Sequence, residues 1–344
     1  MQVSKRLVSF SFLLSAKSVG ITSVLLILLC PLISCTPEAP NSHRLGMEKL
    51  HDCHVHALSP ELLQIWRNRG VPISRPSSHY TDIDTILSIL GAQSIDLISV
   101  GYFFTSPGMY SGADGRERLS AENDFILRCS ARRPERVRPF VAIDLLMEDP
   151  VGEIERCRRI NPKLGVKIHA GVSRLFLSEP EHRYRLRTVL DQAAQANTPV
   201  LLHFDNQDPN FGRRDFSLLL DSVLVDLPPL ELRLAHLGSR GGRFSPQNLE
   251  VLNAFLDRQR RGKIPEGHQF LFDFSAVAFQ ENAEDIPPLT PQDVTLLNEY
   301  FQAVDPDILI FGSDYPLYTS AEYARILMNP LGIDLNALHQ LTQK

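Results

Sequence analysis

Cysteine is scarce in this chain, and its placement argues against a disulfide framework. There are five cysteines in 344 residues, none at CxxC spacing. Cys30 and Cys35 belong to the N-terminal segment, which leaves the odd set Cys53, Cys129 and Cys157. An odd set without regular spacing is not the pattern of a stapled domain. Phosphate-cradling loops are missing as well. No GxGxxG or GxxxxGK(S/T) follows any apolar run, so nucleotide binding loses its main support. Positive charge is not in excess: Lys plus Arg number 35 against 40 Asp plus Glu, a formal net charge of -5. That balance gives no electrostatic reason to expect nucleic acid as a partner. There is no internal repeat, and no biased tract beyond a short polar stretch after the first apolar run.

That first run, Val19 to Ile33, follows Lys5 and Arg6. A basic start, an apolar stretch and a small residue before a cut site are features of a signal peptide. Leu32-Ile33-Ser34-Cys35 resembles a bacterial lipobox, which implies that Cys35 carries lipid and becomes the mature N-terminus. Thr36 follows, not Asp, so the resemblance implies no inner-membrane retention signal. The alternative is an uncleaved anchor. Its apolar length is marginal for a full span, and an anchor has no need of a cysteine there. The expected division is a signal peptide over 1–34, a flexible tether over 35–46 and a folded domain over 47–344. Loss of 1–34 removes Lys5, Arg6 and Lys17 and no acid, so the formal charge moves from -5 to -8. The expected location is the bacterial cell envelope, with the lipid on Cys35 as the membrane anchor.

Eight short apolar stretches follow, and helical patterns separate them. The expected strands are Lys49–Ala57, Asp96–Phe103, Val137–Asp144, Leu164–Ala170, Pro199–Phe204, Leu232–Leu237, Phe270–Ser275 and Ile308–Ser313. Strands buried on both faces read as continuous apolar runs of this kind. The helix from Asp82 to Gly91 has a cap at each end. Asp149-Pro150 opens another with proline in its first turn. Strand–helix alternation implies parallel pairing. Eight alternations favour a closed (β/α)8 TIM barrel in one domain.

Five of these strands end in groups that can bind a metal: His54 and His56, Lys167 and His169, His203, His236, and Asp314. Barrel enzymes build their sites at this end of the strands. Residues two apart on a strand share a face, so His54 and His56 can chelate one ion together. Alternation points Cys53 to the opposite face, as packing.

Together His54-Val55-His56, His203, His236 and Gly312-Ser313-Asp314-Tyr315-Pro316 resemble the amidohydrolase superfamily of metal-dependent barrel enzymes. Gly165-Val166-Lys167-Ile168-His169 and the Gly-Ser-Asp-Tyr-Pro ending are similar to its amidohydrolase 2 branch, which includes hydrolases, decarboxylases and hydratases. The resemblance spans roughly Leu50 to Met328. It implies metal ligands at His54, His56, His203 and Asp314, with Asp314 also carrying the proton. It implies that His236 binds a second metal or polarises the substrate oxygen. Lys167 and His169 either bridge two metals, with the lysine carboxylated, or contact substrate; the branch favours one metal. Zinc suits three histidines and a carboxylate, and manganese, iron or cobalt also serve. Arg213, Arg240 and Arg243 are candidates for an anionic substrate group. Asp273, Ser275 and Asp144 read as packing or support.

The expected function is metal-dependent hydrolysis of an amide, ester or lactone in a small, anionic organic molecule. The alternatives are a decarboxylase or hydratase on the same scaffold, and a surface lipoprotein that binds metal or ligand without turnover. A homo-oligomer is compatible with the C-terminal helix, which either completes the barrel ring or mediates association.

Overall fold

All eight apolar stretches become strands, and they pair in sequence order as one parallel sheet. The structure is a computed structural model that describes residues 50–342, apart from 72, 74, 106–113, 242–248 and 280–287. The candidate signal peptide, the tether, Cys35 and Arg243 lie outside the described residues. The strands are β1 His51–His56, β2 Ser94–Ile98, β3 Val137–Ile143, β4 Gly165–His169, β5 Val200–His203, β6 Glu231–Leu234, β7 Gln269–Asp273 and β8 Leu309–Ile310. β8 meets β1 through Cys53 N to Phe311 O at 2.9 Å and His56 N to Tyr315 O at 2.8 Å. The fold is therefore the (β/α)8 barrel.

The helices form where capping chemistry places them. Asp82 accepts from Thr85 N at the start of Ile83–Leu90, and Gly91 ends it at φ 65°. Asp149 caps Pro150–Ile160 by accepting from Gly152 N. Leu335–Leu341 completes the ring: Leu338 and Leu341 are buried, and Leu341 O accepts from Phe311 N.

Three strands, β2, β6 and β8, end three or more residues before their apolar runs do. The run after β2 turns into a short 3-10 helix over Gly101–Phe104. β6 stops at Leu234, and His236 and Leu237 take left-handed backbone at φ 55° and 57°. The run of β8 leaves the ladder before Ser313. Apolar character marks burial, and a buried turn is as apolar as a strand.

Inside the barrel the side chains form layers. Asp96 sits towards the N-terminal ends of the strands and accepts from Arg138 at 2.7 and 2.8 Å and from Arg233 at 2.6 Å. Above them Ile98, Phe140, Leu201 and Ala235 pack together. A Cβ at Gly165 would come within 2.3 Å of the Phe140 ring, so glycine leaves that ring its space. The histidines and Asp314 lie above this layer, at the C-terminal ends.

One strand breaks the alternation. Between Asp52 and Val55, β1 advances three residues while β2 advances two, from Ile95 to Leu97. That extra residue is a bulge. It brings Cys53 inward, against Leu271 and Ile310, as well as His54 and His56. Cys53 is packing, as expected, but on the interior side rather than the opposite one.

Candidate functional site

The bulge and two left-handed turns bring the polar ends of the strands to one point. His54 Nε2 lies 3.5 Å and His56 Nε2 3.2 Å from the same oxygen of Asp314. Asp314 sits at φ 55°, a backbone that non-glycine residues hold at a cost and that recurs at functional sites. A Cβ at Gly312 would stand 2.6 Å from His54 Cβ, so only glycine lets β8 approach β1 this closely.

The other nitrogen of each ring decides what the pocket sees. His54 Nδ1 donates to Asp273 Oδ2 at 2.8 Å. His56 Nδ1 faces Ile98 O at 3.3 Å, and His236 Nδ1 faces Ser275 O at 2.9 Å. Carboxylate and carbonyl oxygens only accept, so in the neutral rings these Nδ1 atoms carry the hydrogen and Nε2 is bare. Burial pushes the His54 imidazole down to about 4, against the pull of Asp273. Burial also disfavours charge on Asp314, and only protonated rings at His54, His56 and His236 would hold its carboxyl below the usual range. Two bare ring nitrogens thus converge on a carboxylate oxygen with no hydrogen to share. This arrangement repels itself unless a cation stands between its members, and it fits a divalent ion.

Among the described residues, the compact ligand-type groups are His54, His56 and Asp314, and His54, His236 and Asp273. The second is a supporting network. Asp273 takes the His54 Nδ1 hydrogen on one oxygen, and His236 N, Ser275 N and the Ser275 hydroxyl on the other. Asp273 and Ser275 therefore hold the two rings, beyond simple packing.

His203 is in the same pocket but outside the compact group. Its ring stacks on His169 at 3.9 Å and meets His236 edge-on at 4.9 Å. Burial holds both His169 and His203 well below the usual imidazole range. Val172 N donates to His169 Nδ1 at 3.3 Å, so neutral His169 carries its hydrogen on Nε2, the reverse of His54. Lys167 is buried, which brings its ammonium down to about 8 although Asp273 and Asp314 pull the other way.

These groups line a cavity walled by Trp66, Tyr102 and Phe103. Arg240 and Gln207 also line it. Arg213 does not. It is half exposed and bound to Asp257 at 2.6 Å, so it is a solvated surface ion pair and not a pocket cation. Asp144 accepts from Leu146 N and serves a turn.

Asp52 is the residue that sequence reasoning passes over. It is fully buried and accepts from His54 N, Ser313 N and the Ser320 hydroxyl. A carboxylate inside an apolar strand was the available signal, because such a group is costly without partners.

The family profile described as Amidohydrolase (Amidohydro_2) matches residues 51–331. No curated protein sequence matches the chain. Solved structures share its fold. An uncharacterised TIM-barrel protein of Bordetella bronchiseptica is 15% identical with a TM-score of 0.55, covering 86% of this chain and 95% of its own. The 5-carboxyvanillate decarboxylase of Sphingomonas paucimobilis is 12% identical with a TM-score of 0.55, covering 86% and 96%. A dihydroxybenzoic acid decarboxylase of Polaromonas, solved with manganese and 2-nitroresorcinol, is 15% identical with a TM-score of 0.55, covering 85% and 94%. The profile spans most of the chain, and the barrel carries a histidine–aspartate cluster at the end where such enzymes work: the chain belongs to the amidohydrolase family of barrel enzymes.

Proposed function

We propose that the chain is a metal-dependent hydrolase acting on an amide, ester or lactone carbon of a small, anionic organic molecule. The observation that carries this reading is the convergence of His54 Nε2 and His56 Nε2 on Asp314 at 3.5 and 3.2 Å. His54, His56 and Asp314 would hold one divalent ion, with zinc first and manganese, iron or cobalt as alternatives. His203 is the further ligand this reading assigns. When bound, such an ion lowers the pKa of water from about 16 towards 7 and polarises a carbonyl.

The chain's own residues do the rest. Asp314 takes the proton of the attacking water and passes it to the leaving group. Neutral His236 offers a lone pair, because its Nδ1 hydrogen is committed to Ser275 O; only as an imidazolium does it donate to a substrate oxygen. His169 offers an N–H. Lys167 and Arg240 supply positive charge for an anionic group. Under this reading Lys167 is an ammonium contact and not a carboxylated bridge. Lipid anchorage through Cys35 places the activity at the cell envelope.

A second reading is decarboxylation of an aromatic acid. The aromatic wall of Trp66, Tyr102 and Phe103 beside two cations favours it, and two of the similar solved structures are named as decarboxylases.

The test is metal content per chain, by inductively coupled plasma mass spectrometry, on protein purified without chelator. About one equivalent is expected, lost in His54→Ala/His56→Ala. A folded chain still empty after incubation with zinc and manganese would sink the reading. A metal-dependent rate on amides, esters and lactones then supports hydrolysis, and carbon dioxide release from hydroxybenzoates supports the second reading.

A further inference from the structure

The seam between β1 and β8 is not a plain ladder. Cys53 N reaches Phe311 O on one side of the cluster and His56 N reaches Tyr315 O on the other. Between these rungs the bulge shifts the backbone, and His54 N and Ser313 N both turn to one side-chain oxygen. Asp52 Oδ1 accepts from His54 N at 3.2 Å and from Ser313 N at 3.0 Å. Its Oδ2 accepts from the Ser320 hydroxyl at 2.7 Å. Ser320 opens the helix Ser320–Met328 that follows the β8 turn.

A single carboxylate therefore stands in for a missing rung. It holds the backbone of His54 and the residue before Asp314, and it ties both to the next helix. Every partner is a neutral N–H or O–H donor. A buried carboxylate costs more than a neutral acceptor, and this one lies where the two halves of the proposed metal site meet.

We propose that Asp52 is a positioning residue for the metal centre: it touches neither ion nor substrate, and it sets the separation of His54 and His56 from Asp314 by locking β1 to the β8 turn. The inference rests on the metal-centre reading above. Its role differs from that of Asp273, which orients the His54 ring. Asp52 fixes the main chain on both sides of the seam.

The test measures affinity for zinc and for manganese by competition with a chromophoric chelator, with the folded fraction scored by circular dichroism. Asp52→Ala is expected to lose about 10–100-fold in affinity, the usual cost of removing a supporting partner. Asp52→Asn keeps an oxygen for both N–H donors and is expected to retain most of the affinity. If Asp52→Ala does not fold, Asp52→Asn/Ser320→Ala decides. There the amide loses its anchor and can turn its NH2 towards the two donors, and affinity is expected to drop by about tenfold or more. Parent affinity in folded Asp52→Ala, or in that double variant, overturns the role even if Tm has fallen. A parent chain that binds neither ion, like His54→Ala/His56→Ala, removes the metal-centre reading and this role with it.

Discussion

A histidine's chemistry here is set by what its far nitrogen holds. The same ring presents a lone pair at His54, because Asp273 takes Nδ1–H, and an N–H at His169, because Val172 N occupies Nδ1. Glu122 shows a comparable control on a carboxylate. It is buried and accepts from Ser59 N at 2.9 Å, and Ser59 caps the helix that carries Trp66 to the cavity. Burial raises the Glu122 carboxyl from 4.5 to about 7, despite the Ser59 hydrogen bond. The folded chain thus holds this proton more tightly than the unfolded one. The stabilisation is full below about pH 4.5 and is lost as pH rises through about 7. Glu122→Gln keeps the acceptor and removes the titration. Between pH 5 and pH 8 the variant should gain on the parent by up to about 3 kcal/mol, at about 1.4 kcal/mol per pH unit. Thermal melts at the two pH values check this; parallel behaviour of the two proteins would refute it.

At the scale of elements, the apolar runs located all eight strands, and the caps at Asp82, Gly91 and Asp149 located helix ends, because these signals are local. The strand ends were less legible. At Gly101–Phe104 and at Ala235–Gly238 the chain stays buried while it leaves the ladder, and burial alone sets residue type there. The β1 bulge was illegible for a different reason. It depends on pairing with β2, so alternation misplaced Cys53 while placing His54 and His56 on one face. Asp52 was missed with it, since its partners lie more than 200 residues away at Ser313 and Ser320. The sequence leaves the C-terminal helix between closing the ring and mediating association, and its packing supports the first. Leu338 is fully buried and Leu341 O closes on Phe311 N. Leu338→Ala should therefore cost about 2–5 kcal/mol and leave the gel-filtration volume of the folded protein unchanged. A changed association state without loss of stability would instead make the helix an interface.

Across the whole molecule, chemistry and stability are assigned to opposite ends of the barrel. The C-terminal end carries strained backbone, bare ring nitrogens and the cavity. The other end carries a dense ion network. Asp96 joins Arg138, Arg233 and His51, from four different strands, and Arg233 also holds Glu231 at 2.6 Å. Burial would raise the Asp96 carboxyl, but His51, Arg233 and Arg138 hold it well below the usual range. Without the Asp96 charge Arg233 keeps only the part-exposed Glu231, and breaking a buried ion pair costs about 3–5 kcal/mol. Arg138 is partly exposed and recovers solvent, so most of that cost falls on Arg233, which is almost fully buried. Asp96→Asn should accordingly lower the unfolding free energy by about 3 kcal/mol or more. The apolar layer of Ile98, Phe140, Leu201 and Ala235 stands between this network and the histidines, so the folded variant should bind zinc with the parent's affinity. Loss of metal affinity in folded Asp96→Asn would show that the floor of the barrel also sets the geometry of its mouth.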